Sequence, residues 1–215
     1  MARGKFITFE GPEGAGKSTH LTLLAEHLRK TGLPVITTRE PGGTPLCESI
    51  RELLQFNAAG EAPGNRAEVL LFLASRAQLV ERIIRPALER GTWVLCDRFC
   101  DSTFAYQGFG RAMDLDLLRH LNAFATHDLM PDRTIFLDIP QQESRIRLAQ
   151  RQGAADRFEA EQESFHARIL NGFRVLAKAT PERILQIDSS GTTTQTESKI
   201  WNAIKPLIQV AKEQS

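Results

Sequence analysis

Gly11-Pro12-Glu13-Gly14-Ala15-Gly16-Lys17-Ser18-Thr19 constrains this chain more than any other stretch. It follows an apolar run of strand length and opens an amphipathic segment with Leu21, Leu24 and Leu28 on one helical stripe. A GxxxxGK[ST] pattern between a strand and a helix is built to hold phosphate. Its glycines turn backbone N–H groups inward, and the helix offers its positive end. Lys17 reaches the outer phosphates and Ser18 is suited to a magnesium ion. A plain Gly-rich turn would match the pattern, but not that flanking context. Gly11 through Thr19 are therefore the expected ATP-binding loop.

The rest of the chain keeps the same alternation. Strands are expected at 5–10, 33–39, 92–97, 134–139 and 183–188. Helices are expected at Lys17–Lys30, Pro45–Gln55, 66–90, 114–125, 141–150, 159–179 and 198–212, with Pro86 kinking the last turns of the long one. Five strands separated by helices predict an α/β fold, a five-stranded parallel sheet covered on both faces. Ligands then gather beyond the carboxyl ends of the strands. The 215 residues suit one domain, 1–215, without repeats or a low-complexity linker.

Charge and cysteine content narrow the function classes. With 27 basic and 26 acidic residues, nothing steers the chain globally toward nucleic acid or an anionic membrane. No apolar run reaches the roughly 20 residues of a membrane span, and the N-terminus has no signal-peptide core. Three cysteines, Cys47, Cys96 and Cys100, suit a reducing cytoplasm better than a disulfide framework, and no second Cys pair supports zinc. A nucleotide switch reading guanine should carry NKxD, and none occurs. The DxxG at 188–191 follows the last strand, the wrong place for a γ-phosphate sensor.

Two further strand ends carry charge. Arg39-Glu40-Pro41-Gly42-Gly43-Thr44 follows the second strand and suits an anion site, or a surface turn with a solvated ion pair. Asp97-Arg98-Phe99 ends the third. An aspartate there serves the magnesium shell in P-loop enzymes, and Arg98 beside it is a rigid fork for a second phosphate group. Such an arginine makes sense if a second phosphorylated molecule faces ATP.

Leu95–Phe99 followed by Ser102-Thr103 and Ala105-Tyr106-Gln107-Gly108 resembles the signature of thymidylate kinases, and Arg39–Thr44 and the phosphate loop agree with it. The resemblance covers nearly the whole chain. It implies a P-loop kinase fold with a short mobile lid, transfer of the γ-phosphate of ATP to dTMP to give dTDP and ADP in dTTP synthesis, Mg²⁺, a homodimer, and a cytoplasmic location. It also implies residue roles. Arg39 and Arg98 hold the dTMP phosphate, while Asp97 and Ser18 organise the metal. Glu13 faces the acceptor sugar, and Tyr106 stands under that sugar and blocks a 2′-hydroxyl. Phe72 and Arg76, at i and i+4 on one helix face, stack on and donate to thymine. Without the resemblance they would be a core phenylalanine and a surface arginine. Gln107 suits the N3–H and O4 edge, with Ser102 and Thr103 nearby.

The lid is expected at about 145–158, where Arg145, Arg147, Arg151 and Arg157 face only Asp156 and Gly153-Ala154-Ala155 supplies a flexible, small-residue turn. A solvated basic helix end is the alternative. Some family members place a basic residue at the position of Gly14, so this chain resembles the bacterial type with the catalytic cation in the lid. Arg145 and Arg147 are assigned to ATP, and Lys17, Asp97, Arg98 and Arg151 to catalysis. The segment 66–90 is the expected dimer surface by resemblance only.

Overall fold

A computed structural model describes residues 3–56, 58–150 and 157–213. Five strands, β1 (Phe6–Glu10), β2 (Val35–Arg39), β3 (Trp93–Asp97), β4 (Arg133–Asp138) and β5 (Ile184–Asp188), form one parallel sheet in the order β2-β3-β1-β4-β5. β1 lies at the centre and pairs Phe9 with both Asp97 and Ile135. Its carboxyl end therefore opens between the ends of β3 and β4, where the phosphate loop leaves.

The alternation of β1 divides the core. Ile7 and Phe9 face α1 (Lys17–Lys30) and α9 (Thr193–Glu213), packing with Leu21, Leu24, Leu28, Ile200 and Ile204. Phe6, Thr8 and Glu10 occupy the alternate positions of the strand. Phe6 joins Leu79, Ile84, Val94 and Phe99. Burial at the apolar positions contributes about 25 cal/mol per Å² removed from water, which holds both helical layers to the sheet.

α2 (Pro45–Gln55) is capped by Thr44, whose hydroxyl accepts from the Cys47 amide at 3.3 Å. The long helix expected over 66–90 runs as α3 (Asn65–Leu79), one π-helical segment (Val80–Ile84) and α4 (Arg85–Glu89). Pro86 has no N–H to return to the preceding turn, and the turn before it is π-helical.

An unexpected helical stretch follows β3: α5 (Cys100–Thr103) continues into a π-helical segment, Phe104–Gly110. Its glycines obscure the pattern but serve packing. A Cβ on Gly108 would sit 2.4 Å from Leu115 Cδ2 of α6 (Leu115–Thr126). α7 (Gln141–Ala149) and α8 (Glu163–Ala179) complete the described chain. α8 starts four residues later than expected, and α9 starts earlier because Thr192 and Gln195 form a reciprocal capping box, Thr192 N–H donating to Gln195 Oε1 at 2.9 Å. No helix among the described residues is long and apolar enough to cross a membrane.

Candidate active site

The phosphate loop is set by backbone geometry. Gly14 has φ +73°, and a Cβ there would meet the Ser144 carbonyl of α7 at 2.7 Å. Ser144 in turn donates its hydroxyl to the Glu13 carbonyl at 2.7 Å. The loop thus has no room for a side chain at Gly14, which accounts for the missing basic residue. Lys17 is 6% exposed and donates to the carbonyls of Pro12 (2.9 Å) and Gly11 (3.2 Å). Burial, and then the nearby Arg98, pull its pKa below the usual lysine value. Ser18 Oγ donates to Asp97 Oδ2 at 2.7 Å, bringing the two expected metal residues together.

Arg98 is held in a left-handed backbone conformation, φ +70°, rare outside glycine. Its amide donates to the Phe9 carbonyl at 2.9 Å. Its guanidinium donates to the Gly11 carbonyl, to Ser102 Oγ at 3.1 Å and to Glu13 Oε1, and lies 5.0 Å over the Tyr106 ring. Burial disfavours the charged form, but Glu13, Tyr106, Asp97 and Glu10 together outweigh it and the Arg98 pKa rises. Beneath it lies Glu10, fully buried, accepting from the Phe99 and Ser102 amides and from Ser102 Oγ. Burial, then the Asp101 carboxylate, raise Glu10 to about 7.

Two cavities open here. One is lined by the phosphate loop, Arg39, Arg51, Asp97 and Arg98. The other is lined by Phe72, Arg76, Arg98, Ser102, Thr103, Tyr106 and Gln107. Glu13 and Arg98 line both. The expected donor and acceptor residues are thereby brought together, with Arg98 at the boundary. Arg39 faces the phosphate-loop cavity and is mostly exposed, paired with Glu48 at 2.9 Å.

The acceptor-side arginine is no surface residue. Arg76 is 1% exposed. It donates to Glu40 Oε2 through Nε (2.8 Å) and Nη2 (2.6 Å), to Thr103 Oγ1 at 2.7 Å, and to Asn122 Oδ1. Burial opposes its charge, but Glu40, with Cys100 and Glu10, outweighs this and its pKa goes up, while burial also pushes Glu40 up. Phe72 meets Phe158 at a ring distance of 5.8 Å, so the segment leading into α8 supplies a wall that the sequence reading did not name. Glu68 was missed as well, although Glu68, Phe72 and Arg76 share one face of α3 at i, i+4 and i+8. It is fully buried and accepts from Gln107 and Arg157.

The expected lid is spread over several partners. Arg145 pairs with Glu163 at 3.1 Å, and Arg147 donates to Glu143 and to the Ser189 carbonyl. Arg157 is anchored at Glu68. Arg151 lies outside the described residues.

A phosphate loop at the end of a central parallel strand, joined through one arginine to a second polar cavity, defines a P-loop phosphotransferase with a separate acceptor site. The family model for thymidylate kinase matches residues 9–200. Curated relatives named thymidylate kinase include proteins of Exiguobacterium (50% identical, covering 86% of this chain and 87% of the relative), Deinococcus radiodurans (48%, 95% and 98%) and Synechococcus (45%, 96% and 97%). The crystal structure of a thymidylate kinase from Ehrlichia chaffeensis superposes with a TM-score of 0.76 at 35% identity, covering 94% of this chain and 99% of that one. The chain belongs to the thymidylate kinase family.

Proposed function

We propose that the chain transfers the γ-phosphate of ATP to dTMP, within one domain carrying a lid over about 145–158. An oxygen of the dTMP phosphate attacks the γ-phosphorus, the bond to the β-phosphate oxygen breaks, and dTDP and ADP form. The observation that carries this reading is the shared Arg98 and Glu13 boundary. A fixed guanidinium there can hold the acceptor phosphate against the donor and offset charge as the two polyanions approach. Lys17 serves the donor phosphates, Arg39 supports the acceptor phosphate, and Arg145 and Arg147 border the ATP side. Tyr106 packs beneath Arg98 and bounds the sugar. Arg151 supplies the cation for the transferred group; alanine there should depress single-turnover kcat with ATP affinity nearly unchanged.

Ser18 and Asp97 offer a hydroxyl and a carboxylate oxygen side by side, the hard donors Mg²⁺ takes in company with substrate phosphates. They would hold it, and the ion would neutralise phosphate charge. The three cysteines are buried and unpaired, in keeping with a reducing cytoplasm. Leu70 of α3 and Leu117 and Phe124 of α6 are exposed on neighbouring helices, which favours a homodimer burying that face.

ADP release measured with dTMP, dUMP, UMP, dCMP and thymidine tests the assignment. dTMP should exceed dUMP by roughly 10–200-fold, the worth of one methyl in an apolar pocket. UMP should fall further, and thymidine, lacking the phosphate Arg98 holds, should not react. Equal use of thymidine and dTMP would remove the acceptor-phosphate site.

A further inference from the structure

We propose that Glu68 is a positioning residue that selects the acceptor base by fixing which end of the Gln107 side-chain amide faces it. The inference rests on the dTMP reading above. An amide is nearly symmetric in shape, with a donor at one end and an acceptor at the other, so its neighbours alone decide its orientation.

Gln107 is 2% exposed and lines the acceptor cavity. Its Nε2 donates to Glu68 Oε1 at 2.9 Å. The other carboxylate oxygen, Glu68 Oε2, accepts from Arg157 Nη2 at 2.6 Å and Arg111 Nη2 at 3.4 Å. Both arginines are themselves held, Arg157 Nε by the Leu54 carbonyl at 3.0 Å and Arg111 Nη1 by Glu161 at 2.6 Å. The carboxylate is therefore locked in place and presents only oxygens to Gln107. Reversing the amide would set two acceptors against each other in a buried site, at a large cost.

Gln107 Oε1, by contrast, has no hydrogen-bond partner among the described residues. It is the end left for the base. An acceptor there is satisfied by the N3–H of thymine or uracil. Cytosine carries a bare acceptor at N3 and meets oxygen with nitrogen lone pair to lone pair. Glu68, which reaches the base only through Gln107, would thus set the choice between thymine and cytosine while leaving the choice between thymine and uracil to the methyl pocket.

The test compares kcat/KM for dTMP, dUMP and dCMP in the wild type and in Glu68→Gln. The glutamine keeps the shape but can donate as well as accept, so Gln107 is free to turn. The dTMP-to-dCMP ratio should fall by about 10- to 100-fold, with the dTMP-to-dUMP ratio and the KM for ATP within about twofold. An equal loss on all three nucleotides, the mark of a structural role, would overturn the proposal. In a Gln107→Leu background the same exchange should leave the dTMP-to-dCMP ratio unmoved; an undiminished effect there would also overturn it. If Glu68→Gln does not fold, Gln107→Leu alone decides, since it must weaken dTMP while sparing dCMP, and a parallel loss contradicts the account. A wild type that ignores dTMP would defeat the kinase reading itself, whereas dTMP use with an unchanged ratio in Glu68→Gln defeats only this inference.

Discussion

The two halves of the site are built differently. The donor half is made largely of consecutive residues whose backbone does the binding; its lysine, Lys17, donates to the carbonyls of its own loop, with the partly exposed Glu13 carboxylate 3.6 Å away. The acceptor half is made of side chains from β1, α3, α5, the π-helical stretch, α6 and the loops after β1, β2 and β3, and its buried arginines are matched to carboxylates from elsewhere: Arg76 to Glu40, Arg98 to Glu13, Arg157 to Glu68. A loop of backbone donors can be emptied of a charge without disturbing the fold. An interlocked set of buried ion pairs cannot, because removing one member strands the other in a dry interior.

The largest expected effect follows from that difference. Arg76→Ala leaves Glu40 buried without its partner, and Glu40 Oε1 already lacks one. A loss of about 3–5 kcal/mol of stability is expected, together with the acceptor defect. This adds to the role expected from sequence, which was acceptor binding alone. Lys17→Ala should instead lower turnover by roughly 10²–10³, the scale of one lost transition-state charge contact, with little change in unfolding midpoint. Thermal unfolding and single-turnover rates on both variants separate the two halves. If Arg76→Ala is as stable as Lys17→Ala, the acceptor side is not interlocked.

A smaller effect concerns pH. Glu10 takes up its proton near pH 7 in the fold but near 4.5 when unfolded. A carboxyl raised in this way supports the fold fully only below about pH 4.5, and that support fades as pH rises through about 7. Glu10→Gln cannot ionise, so its stability relative to wild type should climb by at most about 3 kcal/mol between pH 5 and pH 8. Denaturant midpoints at the two pH values check this; parallel midpoints would show that Glu10 does not titrate in that window.

The same contrast explains what could be seen in the sequence. The phosphate loop was legible because its physics is local: glycines, a lysine and a helix start within nine positions. The strands were legible to within two residues from their apolar runs. On the acceptor side Arg98 was visible from its place at the end of β3, while Phe72 and Gln107 took their roles from the resemblance. The pairings that lock this side were not visible, because Glu40 meets Arg76 across 36 residues, Gln107 meets Glu68 across 39, and Glu10 meets Ser102 across 92. Period and spacing carry no information at that range. Helix 100–110 was hidden for a related reason, since Gly108, poor in a helix by propensity, is there to let Leu115 approach.

The most direct measurement follows the phosphate. With ATP labelled at the γ-position and unlabelled dTMP, all label leaving ATP should appear at the β-phosphate of dTDP, in step with ADP. Label recovered as inorganic phosphate in the presence of saturating dTMP would mean that water, not the nucleotide held at Arg98, is the acceptor, and would contradict the account.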